Sequence, residues 1–138
     1  MAANTSPIFT LLGDFQWGTT VLTAANTAKD GTGTVLTVFT ADATNGGYTP
    51  KVRFQAAGTN VQTVARLFAN NGSTNATPAN NILYAEITLP ATTLSETSQQ
   101  LPVEIPLNIA LPPGYKWNVV IGTAVAAGYY VSCPAGKY

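Results

Sequence analysis

Apolar and polar residues along this chain alternate in short bursts and do not recur every three or four positions. Strand-forming residues come in runs bounded by Gly, Pro, Asn or Asp, and no stretch repeats apolar positions at i, i+3, i+4 and i+7 for several turns. The pattern predicts an all-β chain. In residues 51–56 the alternation points Val52, Phe54 and Ala56 toward a core, and Lys51, Arg53 and Gln55 toward water or a partner. Residues 34–40 carry β-branched side chains on both faces, which predicts a strand covered on both sides or near a sheet centre. Residues 63–69 place Ala65 and Leu67 on one face and Val64, Arg66 and Phe68 on the other, so each face has something apolar to bury. Residues 82–89, 117–121 and 129–133 continue the alternation, and residues 20–23 read as a short early strand.

Between the runs lie breakers with defined chemistry. Asp30-Gly31-Thr32-Gly33, Asn45-Gly46-Gly47 and Leu111-Pro112-Pro113-Gly114-Tyr115 are turn signals, and residues 70–80 are a polar surface loop. Pro90 stops one strand, and the Thr/Ser/Gln-rich residues 91–100 predict a long connection that crosses between sheets in a Greek-key manner. Pro102 and Pro106 cannot donate ladder hydrogen bonds, so residues 103–110 belong at a sheet edge. About eight strands follow, in a single-domain antiparallel β-sandwich of jelly-roll-like type. Residues 19–138 form that sandwich. Residues 1–18, where Pro7, Ile8, Phe9, Leu11, Leu12, Phe15 and Trp17 are apolar but not periodic, read as an N-terminal arm or a first core strand.

Composition narrows the function classes. At 138 residues the chain is the size of one domain, large enough to fold without disulfides or metals. Charged residues are only 9% and the net charge is zero, which offers no field for nucleic acid or anionic lipid. No apolar stretch approaches the roughly 20 residues of a membrane helix, and the start lacks the basic residues and apolar core of a secretion signal. The expected protein is therefore soluble, with no nucleic-acid or membrane partner. The chain has no His, which removes the usual general base and the commonest metal ligand, and the single Cys133 excludes an internal disulfide.

The remaining candidate chemistry is thin. Cys133 has no His to activate it and reads as a buried thiol. Asp14, Asp30, Asp42, Glu86, Glu96 and Glu104 are far apart in sequence, and nothing in their spacing pairs two of them as glycosidase carboxylates. Asp30-Gly31-Thr32-Gly33 lacks the Lys-Ser/Thr ending of a phosphate loop. Asn4, Asn71 and Asn75 begin glycosylation-type triplets in a chain rich in Asn and Thr, where such triplets arise by coincidence. Tyr115, Trp117, Tyr129 and Tyr130 suit either a sugar-stacking platform or a core. The expectation is that the chain is not an enzyme and takes no cofactor.

Residues 24–35, Ala-Ala-Asn-Thr-Ala-Lys-Asp-Gly-Thr-Gly-Thr-Val, followed by Val38-Phe39-Thr40-Ala41 and Leu111-Pro112-Pro113-Gly114-Tyr115, carry a resemblance. The chain resembles small proteins encoded by tailed bacteriophages and prophages, over nearly its whole length, including Arg66-Leu67-Phe68 and Gly136-Lys137-Tyr138. The resemblance implies a virion component made in the host cytoplasm, of capsid decoration or cement type. Such a protein is a β-sandwich, often a homotrimer, that sits outside the head on the major capsid protein. Contacts with the capsid or between subunits are then expected from Pro7, Ile8, Phe9, Leu11, Leu12, Phe15 and Trp17, and from Val64, Arg66 and Phe68. The alternative is a carbohydrate- or receptor-binding module of a tail fibre.

Overall fold

The alternating runs pair into two antiparallel sheets that face each other across one apolar core, as the computed structural model, which describes residues 10–138, lays out. The strands are β1 (Leu12–Gly13), β2 (Gln16–Trp17), β3 (Leu36–Thr40), β4 (Gly47–Ala56), β5 (Thr63–Asn70), β6 (Asn81–Leu89), β7 (Val103–Leu111), β8 (Lys116–Ile121), β9 (Tyr129–Cys133) and β10 (Gly136–Lys137). A 3-10 turn, Pro78–Asn80, precedes β6. In sheet one, β7 lies along one side of β4, while β9 and β10 share its other side and β2 and β1 flank them in turn. Sheet two runs β3-β8-β5-β6.

Two of these strands are interrupted rather than separate. Pro134 and Ala135 part β9 from β10, Asp14 and Phe15 part β1 from β2, and the Asp14 N–H bonds the Ala135 carbonyl at 2.8 Å across the paired breaks. Counting each interrupted pair once turns ten short strands into eight, the number expected from sequence, but with β1 and β2 as the first strand in place of residues 20–23. In that count the first strand pairs with the last, the second with the seventh, the third with the sixth and the fourth with the fifth. The residue 90–102 connection leaves sheet two and enters sheet one, and β7 is the edge strand that its prolines predict.

The core forms where the two inner faces meet. Val52 and Phe54 on β4 face Ala65 and Leu67 on β5, and Trp117, Val119 and Ile121 on β8, all essentially inaccessible to water. Each fully buried large apolar side chain contributes roughly 1.5–3 kcal/mol relative to exposure. One polar thread crosses this layer. The Trp117 indole N–H donates to the Thr49 hydroxyl at 3.1 Å, which in turn donates to the Ile109 carbonyl at 2.9 Å, joining β8 to β4 and β7.

Two expectations are corrected. Residues 20–23 make no strand: only Leu22 bridges, exchanging both backbone hydrogen bonds with Tyr129, because the chain is crossing there from sheet one toward Ile121 of sheet two. Residues 34–40 are neither central nor doubly covered. β3 begins at Leu36 and is the outer strand of sheet two, and a bulge between Thr37 and Phe39 lets the consecutive Val38 and Phe39 both be buried.

Part of the outer face of sheet two, around Phe68, Asn118 and Val120, is covered by the chain itself. Asn26 bonds the Ile121 carbonyl, and Gly31 lies so near Asn81 at the start of β6 that an added Cβ would sit 2.6 Å from the Asn81 Cβ. The intervening loop must therefore cross β8 and β5. Amides hold it in place: Asn26 donates to the Thr32 and Thr34 carbonyls, Asn75 to those of Gly31 and Gly33, and Asn81 to that of Asp30. Gly31 and Gly33 both have positive φ, so the Asp-Gly-Thr-Gly string is the turn its sequence predicts.

Replacing Thr49 with Val keeps the shape but leaves the Trp117 N–H without a buried acceptor. Thr49→Val is expected to lower stability by about 1–3 kcal/mol, read as a reduced urea midpoint with an unchanged slope.

Candidate functional site

A run of exposed apolar side chains lies along the first strand. Leu11, Leu12, Phe15 and Trp17 are exposed, Leu11 to 80% and Trp17 to 62%. Local geometry explains why. Gln16 turns toward β3, where its amide donates to the Thr40 carbonyl and accepts from the Thr40 N–H, both at 2.9 Å, closing the seam between the two sheets. Its neighbours Phe15 and Trp17 then project outward, with ring centroids 5.5 Å apart and planes tilted by 50°. Tyr130, 59% exposed on β9, closes the other side of a shallow cleft of about 320 Å³ with Ser132 on its wall.

The sheet register extends this patch into a row. Trp17 pairs with Ser132, Ser132 with Arg53 and Arg53 with Glu104, so an aromatic ring, a hydroxyl, a guanidinium and a carboxylate lie side by side across four strands. Glu104 is 3.1 Å from Lys51 and 3.7 Å from Arg53, and because these groups are well exposed the ion pairs add little stability.

Val64, Arg66 and Phe68 sit on the opposite sheet and do not join this patch. Phe68 is 0% exposed, because the Asn26–Gly31 crossing runs over the outer face it occupies; it presents nothing to a partner. Val64 is half-buried, and the Arg66 Nε lies 2.7 Å from Glu86 on the neighbouring strand. Pro7, Ile8 and Phe9 lie outside the described residues.

Among the aromatic residues weighed as a platform, Trp117 and Tyr129 are core side chains, Tyr115 packs against the core, and Tyr130 alone is exposed. Its companions are Phe15 and Trp17, which the sequence had grouped with the arm. The signal was the Phe15-Gln16-Trp17 triplet, where a polar residue between two aromatics marks which face turns inward.

The other candidates have structural roles. Asn71 donates to the Asn80 side chain, and the Asn75 amide is committed to the two glycine carbonyls. Asp30 accepts from the Thr32 hydroxyl and N–H, and Asp42 from the Asn45 and Thr44 N–H groups, which hold both carboxyls below the usual range. Among the described residues no three His, Cys, Asp or Glu side chains converge as metal ligands would. A second cavity, of about 480 Å³, lies under the residue 90–102 connection, with Tyr129 at its inner wall. Its lining residue Thr92 exchanges backbone hydrogen bonds with buried Asn60, whose side chain accepts from the Ala127 and Gly128 N–H groups and donates to the Gly128 carbonyl.

No family model, no curated protein and no solved structure matches the chain.

Cys133 is fully buried, and that burial, reinforced by the Asp14 carboxylate, pushes its thiol up to about 12. The folded state therefore keeps a proton that the unfolded chain releases in the ordinary thiol range. The resulting stability is complete below that range and is lost as pH rises toward 12. Unfolding free energy is expected to fall with rising pH over this window, with a shallower slope in Cys133→Ala, and thiol reagents are expected to label Cys133 only on denaturation.

Proposed function

We propose that this chain is a structural virion protein, a capsid decoration or cement protein that binds the outside of a phage head through the exposed edge of sheet one. The observation that carries the reading is the aromatic cleft of Phe15, Trp17 and Tyr130, all exposed, with Leu11 and Leu12 exposed further along the same chain segment. Aromatic side chains held on rigid strands make efficient anchors, because they bury much area at little cost in side-chain entropy. Repetition over a symmetric shell multiplies modest individual contacts into firm attachment. A chain of zero net charge meets no long-range repulsion when many copies crowd one surface.

The strand order supports the same reading. Pairing of first with last, second with seventh, third with sixth and fourth with fifth is what results when one long hairpin is rolled into two sheets, and on that basis we class the fold as a jelly roll. Jelly rolls serve both shell proteins and lectins. A second reading, a carbohydrate-binding module, is favoured by one feature: Trp17, Ser132 and Arg53 lie in register beside Tyr130, an apolar stacking surface next to hydrogen-bonding groups.

Incubating the purified protein with heads of the encoding phage from which it has been removed separates the two. Co-sedimentation is expected, with density of this fold on the head exterior by cryo-electron microscopy. Trp17→Ala and Tyr130→Ala are each expected to weaken attachment by about tenfold or more without lowering the denaturation midpoint. Absence of attachment, or attachment indifferent to both substitutions, refutes the assignment; saturable binding on a glycan array that Trp17→Ala abolishes establishes the lectin reading in its place.

A further inference from the structure

An edge strand presents unpaired backbone groups, and folded proteins ordinarily blunt such edges. Three of the edges here are treated in that way. β7 carries Pro106 and, two residues on, Asn108 in the left-handed region at φ 54°. β1 and β2 are short, interrupted and tied to β3 through the Gln16 amide, which occupies the backbone groups of Thr40 on β3. β6 is different. It runs for nine residues at the end of sheet two with no Pro or Lys and exposes Ile82 to 66%, along with Leu83 and Tyr84; its one bulge, at Tyr84, leaves residues 85–89 in regular pairing.

Hydrogen-bond directions show which groups are free. The Gly122 N–H donates to the Val64 carbonyl, so the backbone of Val64 faces β8 and not β6. Thr88, paired opposite Val64, must then turn its own N–H and C=O away from β5, and so must Glu86, opposite Arg66. Ala65 confirms the alternation: it pairs with Ile121, whose carbonyl is taken by Asn26 on the far side of β8.

We propose that this edge is a strand-addition site for a second copy of the same chain, with β6 antiparallel to β6 about a two-fold axis at Ile87. That register sets Glu86 opposite Thr88 of the second copy and Thr88 opposite its Glu86. Each pair exchanges both of its N–H to O=C bonds, so all four outward groups of each copy's two residues are satisfied within the pair of strands. The two four-stranded sheets then continue into one. The occupant is argued by charge: the one charged residue on β6 is Glu86, already held by Arg66 of its own chain, and the register puts it beside a threonine hydroxyl instead of a second carboxylate. The contact is isologous and closes as a dimer, in place of the trimer that the phage resemblance implies. It concerns the protein alone and stands or falls independently of head binding.

The test uses the full chain across a concentration series, read by sedimentation equilibrium and by amide hydrogen exchange. A monomer–dimer equilibrium is expected, with protection of the Glu86 and Thr88 amides rising with protein concentration. Thr88→Pro removes an outward N–H without touching the β5 pairing, and is expected to weaken dimerisation about tenfold or more, while Thr88→Val, which keeps the N–H, dimerises as the parent does. A chain that is monomeric throughout overturns the proposal, as does a dimer whose Glu86 and Thr88 amides stay unprotected. Should Thr88→Pro fail to fold, the exchange pattern of the unsubstituted chain decides.

Discussion

The hydrogen bond from the Trp117 indole to the Thr49 hydroxyl is the point on which the two sheets depend for their alignment. Apolar contact alone holds sheets together but tolerates sliding, because it has no direction. A buried donor that finds one acceptor fixes position, since moving away leaves the N–H unpaired in a dry interior at a cost of about 1–3 kcal/mol. Trp117 is the largest side chain in the core, so this single bond positions much of the packing around it. Thr49 passes the constraint to Ile109 at the edge of sheet one.

From that alignment the distribution of surfaces follows. The two sheets are closed against each other along one seam by the Gln16 clasp, and at one end by Asn60, whose side-chain amide holds Ala127 and Gly128 while its backbone N–H bonds Thr92. The outer face of sheet two is covered over Phe68, Asn118 and Val120 by its own Asn-pinned loop. Two regions stand open: the outer face of sheet one near the first strand and the edge of sheet two at β6. The two regions lie on different sheets, so a contact made at one leaves the other free.

The self-covering loop also explains why two-faced strands mislead. Val64, Arg66 and Phe68 alternate with core residues, and from sequence an apolar second face suggests an interface. Phe68 is indeed covered, yet by the chain's own Ala24–Thr34 region, which is distant in sequence and polar in composition. No local pattern announces that a Gly- and Asn-rich loop will lie flat across a sheet; the hydrogen bonds from Asn75 and Asn81 that pin it span more than forty residues.

Residue order alone determined the all-β class, the inward face of the Val52–Phe54 strand, the turn at Gly31 and Gly33, the edge placement of the proline-bearing β7 and the crossing made by residues 90–102. Each of these rests on local physics: a period of two, a positive φ, a missing N–H. Tertiary structure alone decided that β3 lies at an edge with a bulge, that residues 20–23 cross between sheets, that Phe68 is sealed while Trp17 and Tyr130 meet at one cleft, and that Glu86 and Thr88 turn their backbone outward. These depend on which strands become neighbours, and neighbours are chosen by burial summed over the whole chain, a quantity that no short stretch of residues contains.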